Sequence, residues 1–176
     1  MNYLVVGLGN PGEEYANTRH NTGQILADLA AKKVENKKVK FAEINSFMNK
    51  SGSAVKKLVT SKKAAANLVV IYDDLDLPLG SLKISFNRGS GGHKGVESII
   101  KALGTKEFVR IRVGICPTTP SGKLKKISGE EAVIDFILGK FKPAELEIIK
   151  KHAKAIAAIV ETIAAEGLPA AMNQFN

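Results

Sequence analysis

The sequence predicts a single three-layer α/β domain with a mixed, mostly parallel central sheet flanked by helices. Two observations carry this expectation. Short apolar runs of strand type alternate along the chain with segments whose apolar residues recur at helical spacing, the pattern of a layered α/β chain. In addition, 176 residues with 44% apolar content suffice for one domain-sized core, and no internal repeat or low-complexity segment interrupts them.

In chain order, Tyr3 to Leu8 is the first strand, and Ile25, Leu26, Leu29, Ala30 and Val34 mark a helix over about 22–33. Phe41 to Phe47 is expected as a short strand and Ser51 to Leu58 as a helix opened by a serine cap. Asn67 to Tyr72 is a continuous apolar strand, ended by an acidic turn at Asp73-Asp74-Leu75-Asp76. Ser81 to Phe86 alternates, with Leu82, Ile84 and Phe86 on one face. The glycine-rich loop Gly89 to Gly95 leads into a helix over Val96 to Leu103; Phe108 to Ile115 is a strand, and Gly129 to Leu138 a helix. One long terminal helix is expected between Pro143 and Gly167, with Leu146, Ile149, Ala153, Ile156, Val160 and Ile163 as its buried stripe.

Gly7, Gly9 and Gly12 spell G-x-G-x-x-G, but their context does not suit a dinucleotide site. Such a site needs a helix immediately after the glycines and an acidic strand end about 20 residues on. Here Asn10-Pro11-Gly12 reads as a turn, Glu13 to Arg19 carries no apolar stripe, and Asp28 falls inside a helical pattern. No nicotinamide or other cofactor is expected.

Composition narrows the class further. No run approaches the roughly 18 apolar residues of a membrane span, and no signal peptide is evident, so a cytoplasmic protein without membrane partners is expected. The lone Cys116, in an apolar run, reads as a buried strand thiol. Net charge is +9. Ten lysines stand against two glutamates between Ala31 and Lys63, and Lys140, Lys142, Lys150, Lys151 and Lys154 form a second basic set. These are either solvated faces or a surface for a polyanion, and the balance favours a nucleic acid held by its phosphates. With 6% aromatic residues, a base-stacking platform is not expected.

Sites in open α/β sheets gather at the carboxyl ends of strands. That rule collects Asn10 after the first strand, Asp73 after the central one, His93 in the glycine loop and His20 from the loop after the first strand; Asn49, before a helix, joins them. Taken singly, Asn10 could be a turn residue, Asn49 a helix initiator and the three aspartates a solvated strand end. A hard cation at Asp73, Asp74 and Asp76 would lack a complete oxygen shell, so no metal is expected. The glycine loop lacks a Gly-Lys-Ser/Thr ending, though its amides at a helix start could receive an oxyanion or phosphate. His152 reads as a solvated helix-face residue.

Six co-linear motifs carry a family resemblance: Gly7-Leu-Gly-Asn-Pro-Gly-x-x-Tyr15, Thr18-Arg-His-Asn21-x-Gly23, Phe47-Met-Asn-x-Ser-Gly52, Asp73-Asp-Leu-Asp-Leu-Pro78, Gly91-Gly-His-x-Gly95 and Arg110-Ile-Arg-Val-Gly114. Together, over residues up to about Lys140, they resemble bacterial-type peptidyl-tRNA hydrolase. The resemblance implies a monomeric cytoplasmic esterase that frees peptides from peptidyl-tRNA after drop-off from the ribosome. It implies His20 as general base and Asp73 as its orienting carboxylate. Asn10 and Asn49 then bind substrate near the scissile ester and help place the water. Tyr15 lies beside the tRNA end, and Asn21, Met48, His93 and Lys94 complete the substrate-binding set. Arg112 grips acceptor-stem phosphate. Lys83 or Arg88 is expected to substitute as a phosphate ligand for the basic residue that Ser85 replaces.

An ester is activated enough for direct attack by water, and no Gly-x-Ser-x-Gly nucleophile motif is present. Three departures from the family pattern stand out. Lys94 replaces the usual asparagine after Gly-Gly-His. The 34–47 stretch is short and lacks a peripheral hairpin, and Ser85 stands where many members carry a basic residue. The alternative reading is a non-catalytic RNA-binding relative on the same scaffold.

Overall fold

The computed structural model describes residues 2–176. The chain order is β1 (Tyr3–Gly7), α1 (Thr22–Ala31), β2 (Val39–Phe41), α2 (Ser51–Leu58), α3 (Lys62–Ala65), β3 (Leu68–Pro78), β4 (Leu82–Phe86), α4 (Lys94–Leu103), β5 (Val109–Cys116), α5 (Glu130–Leu138), α6 (Pro143–Lys151), α7 (Ala153–Glu166) and α8 (Leu168–Phe175). The five strands form one sheet in the order β2-β1-β3-β5-β4. All neighbours are parallel except β4, which runs antiparallel to β5.

Alternation along the central strands feeds two cores. Val5, Val69, Ile71 and Ile111 face a layer that includes Leu26 of α1 and Ile156 and Val160 of α7. Val6, Leu8, Val70 and Tyr72 face Val55 of α2 and Val96 and Ile99 of α4. Strands covered on both faces read as unbroken apolar runs, which is why β3 and β5 were legible.

Two glycines let α1 reach the sheet. A Cβ on Gly23 would lie 2.1 Å from the Ile71 carbonyl oxygen, and one on Gly7 would lie 2.2 Å from that of Gly23. Helix α1 therefore starts directly over the end of β1 and the first half of β3. Leu8 N–H donates to Ile71 O (2.9 Å) and Gln24 N–H to Leu8 O (3.0 Å).

The structure corrects five expectations about elements. Helix α2 is not opened by a serine cap: Lys50 holds the cap position, and Ser51 Oγ instead donates to Met48 O (2.8 Å). The second strand is Val39–Phe41, not 41–47, because β1 ends at Gly7 and the last bridging hydrogen bond is Ala42 N–H to Val5 O. The acidic segment 73–76 is no turn: β3 continues to Pro78 alongside β5, with a register shift between Asp74 and Pro78. The terminal helix breaks at His152, whose N–H bonds three residues back to Ile149 O before α7 begins. His152 is accordingly half-buried, its ring 3.2 Å from where a Gly80 Cβ would stand, rather than solvated. Helix α8 was not foreseen. It delivers Asn176 to the edge strand, where the side chain accepts from Ile84 N–H (2.7 Å) and donates to Ile84 O (3.1 Å), closing part of an exposed edge.

Candidate active site

His20 sits in a buried 3-10 turn, Arg19–Asn21, directly before α1. Its Nδ1 lies 2.9 Å from Oδ2 and 3.1 Å from Oδ1 of Asp73, at the middle of β3. The other side of that carboxylate meets a second imidazole: His93 Nε2 is 3.0 Å from Asp73 Oδ1. His93 caps α4, with Nδ1 accepting from Val96 N–H at 3.3 Å. An amide can only donate, so the proton of a neutral His93 resides on Nε2 and is donated to Asp73. The remaining acceptor capacity of Asp73 takes the Nδ1 proton of His20, which leaves His20 Nε2 as an unprotonated base.

The electrostatics follow from this arrangement. Burial pushes the Asp73 carboxyl up, but the His20 and His93 rings outweigh it and hold the group well below the ordinary carboxylate range. Burial pushes His20 down, and the adjoining Asp73 outweighs that and leaves the imidazole above its usual value. The tilted His20 and His93 rings lie 4.8 Å apart, and Tyr72 meets His93 edge-on at 4.9 Å.

Asn10 follows β1 and is tied by three hydrogen bonds to Asn21, the residue next to His20, and to Met48. Its N–H donates to Asn21 Oδ1 (2.9 Å), its carbonyl accepts from Asn21 Nδ2 (2.9 Å), and its own Oδ1 accepts from Met48 N–H (2.8 Å). Because Met48 N–H is a donor, the Asn10 Nδ2 donor is the end left free. Asn21 thus grips Asn10 from beneath, and Met48 is buried, its sulfur close to Gly95 at the start of α4.

Other expected residues are more dispersed. Tyr15 and Phe47 form an edge-to-face pair at 6.5 Å, with Phe47 half-exposed. Asn49 is exposed and opens onto a separate groove between α2 and α4, lined by Lys56, Lys57 and Lys101 and sharing no residue with the cleft that holds His20. Lys94 points outward at 70% exposure, 3.7 Å from Glu97. Lys83 is exposed on β4, in register with Arg112 of β5. Arg112 is largely buried, and its Nε donates to Asp74 at 2.6 Å. Arg88 and Arg112 line the same cleft of about 600 Å³ as His20, Asp73 and His93.

Two arginines went unassigned in the sequence. Arg110 is fully buried and in register with Ser85; its guanidinium donates to the carbonyls of Arg88 and Gly89 and lies over Phe108 at 4.6 Å. It anchors the base of the glycine loop. A charged residue in a strand buried along its whole length was the available signal. Arg19, in the turn before α1, reaches the Phe136 carbonyl and the Glu145 carboxylate through its guanidinium.

His20, Asp73 and His93 could also gather a cation, since one ligand atom from each lies within 4.8 Å of the others. The donor set fits poorly. A ligating nitrogen must be unprotonated, and His93 Nε2 carries its proton as long as Nδ1 accepts from Val96.

The peptidyl-tRNA hydrolase family model matches residues 4–176. The chain belongs to the peptidyl-tRNA hydrolase family. A peptidyl-tRNA hydrolase from Thermodesulfovibrio yellowstonii is 40% identical over 194 residues, covering 98% of both chains. One from Aquifex aeolicus is 41% identical over 170 residues, covering 86% of this chain and 84% of its own. The crystal structure of Acinetobacter baumannii peptidyl-tRNA hydrolase superposes with a TM-score of 0.82 at 28% identity, over 99% of this chain and 94% of the other. The mixed α/β sheet is thus that of a peptidyl-tRNA hydrolase, despite the short 34–47 segment.

Proposed function

We propose that His20 is the general base with which this peptidyl-tRNA hydrolase cleaves the ester between peptide and tRNA. The observation that carries this reading is the free His20 Nε2 backed by Asp73 on Nδ1. Nε2 takes a proton from water, the hydroxide attacks the ester carbonyl carbon, and the imidazolium returns that proton to the departing ribose oxygen. Asp73 fixes the tautomer and stabilises the imidazolium, while His93 secures its second oxygen. The free Nδ2 of Asn10 donates to the carbonyl oxygen as charge develops, a contribution of roughly 3 kcal/mol for one such donor.

Asn21 and Met48 act by holding Asn10. Asn49, Tyr15 and Phe47 border the acyl-tRNA end, and Arg112, Arg88 and Lys83 take backbone phosphate without reading sequence. Lys94, turned to solvent, replaces the family's asparagine with a further phosphate ligand. We place the reaction in the cytoplasm, in a monomer with one domain.

The test is release of the acyl group from N-acetyl-aminoacyl-tRNA by purified protein in excess chelator. Full release is expected. Binding without release would assign the chain to RNA binding alone, and loss of release on chelation would place a cation on the His20–Asp73–His93 cluster.

A further inference from the structure

Helix α5 forms the apolar wall of the catalytic cleft, through Val133, Ile134 and Ile137, yet none of its residues is buried. The 117–129 loop that leads into it also contains no buried residue. Its most extensive contact with another element is the 3-10 turn Arg19–Asn21, the turn that carries His20. A helix so thinly packed needs specific holds to keep a fixed place.

Those holds converge on Arg19. Its N–H donates to Gly139 O (3.1 Å), just past the end of α5. Its Nη1 donates to the Phe136 carbonyl (3.3 Å), and its guanidinium lies 4.3 Å from the Phe136 ring and 5.5 Å from that of Phe141. Its Nη2 is 3.0 Å from Glu145 Oε2, which also accepts from Lys142 N–H (2.8 Å) at the start of α6. The arginine is 11% exposed, so little water competes for these bonds. One side chain therefore joins the end of α5, the start of α6 and the residue next to the catalytic base.

We infer that Arg19 is a positioning residue that sets the distance between the α5 wall and His20, and so fixes where the acyl-tRNA end sits against the base. The inference rests on the cleft being the active site. Arginine suits the task because its planar fork serves a carbonyl, a carboxylate and two rings at once, which lysine cannot do.

The test compares Arg19→Met and Glu145→Gln with the wild type, using N-acetyl-aminoacyl-tRNA. Arg19→Met is expected to raise KM on the order of tenfold while kcat stays within about threefold, because a displaced wall weakens binding before it disturbs the chemistry. Glu145→Gln raises KM by a smaller factor. Amide exchange across 130–138 accelerates in both, while β3 stays protected. A variant that merely unfolds in part would lower kcat at constant KM. That result, or unchanged KM and exchange in Arg19→Met, overturns the inference. If Arg19→Met does not fold, Glu145→Gln decides it alone, and an unchanged KM there is equally fatal. If the wild type releases nothing, the active-site reading fails, and the exchange measurement still decides whether Arg19 holds α5.

Discussion

Asp73 is shared by two imidazoles, and that sharing sets how the site responds to pH. His20 must be unprotonated to act, and Asp73 holds its pKa above the ordinary value of 6.5 despite burial. The acid limb of kcat/KM is therefore expected to have its midpoint above 6.5. In Asp73→Asn the raising influence is gone and burial remains, so the midpoint falls below that of the wild type; kcat drops as well, because the tautomer is no longer fixed. A pH–rate profile of the two proteins checks both shifts. The same pair contributes to stability with opposite signs. The raised His20 pKa adds stability that is complete below the unfolded value and is lost as pH rises through the folded one. The depressed Asp73 pKa adds stability present at neutral pH and lost as pH falls through its folded value. At this scale the sequence was informative where chemistry restricts residue type. The His20–Asp73 pair was legible because both residues fall near strand ends in the sequence pattern, although Asp73 lies inside β3 rather than after it. The role of His93 as partner to Asp73 was not, since it depends on which ring nitrogen faces which group.

Between elements, one of the closest approaches lies where α1 meets the end of β1 and the first half of β3. A methyl group on Gly23 would enter the Ile71 carbonyl and stand 2.6 Å from Leu8 N, so backbone rather than a flexible side chain would have to move. Gly23→Ala is expected to destabilise the protein by about 1–3 kcal/mol, read as a lowered urea midpoint with an unchanged m-value. It should also impair catalysis, since Gly23 lies three residues from His20. The glycines that imitate a dinucleotide fingerprint thus serve packing: Gly7 meets Gly23, and Gly12 turns the chain at φ 110°. Element types followed from periodicity, whereas several boundaries did not. The 73–76 segment looked like a turn because of its charge, but pairing with β5 keeps it extended, with Asp73 buried on two histidines and Asp74 on Arg112. The break at His152 had no proline or glycine to announce it and follows from docking against the Gly80 turn.

Across the whole molecule, charge and chemistry are separable. The His20–Asp73–His93 group is buried in a cleft with a single free base nitrogen, while the net charge of +9 is spread over exposed lysines, three of them lining the α2–α4 groove. RNA affinity built on phosphate neutralisation comes from many such contacts and depends little on any one cleft residue. In the proposed mechanism hydrolysis, by contrast, depends on His20 alone to take the proton. The most direct measurement is therefore paired: tRNA binding and single-turnover release of N-acetyl-aminoacyl-tRNA by wild type and His20→Ala. The account predicts tRNA affinity within about twofold and release slowed by about 10²–10⁴-fold. Release at the wild-type rate in His20→Ala would contradict it.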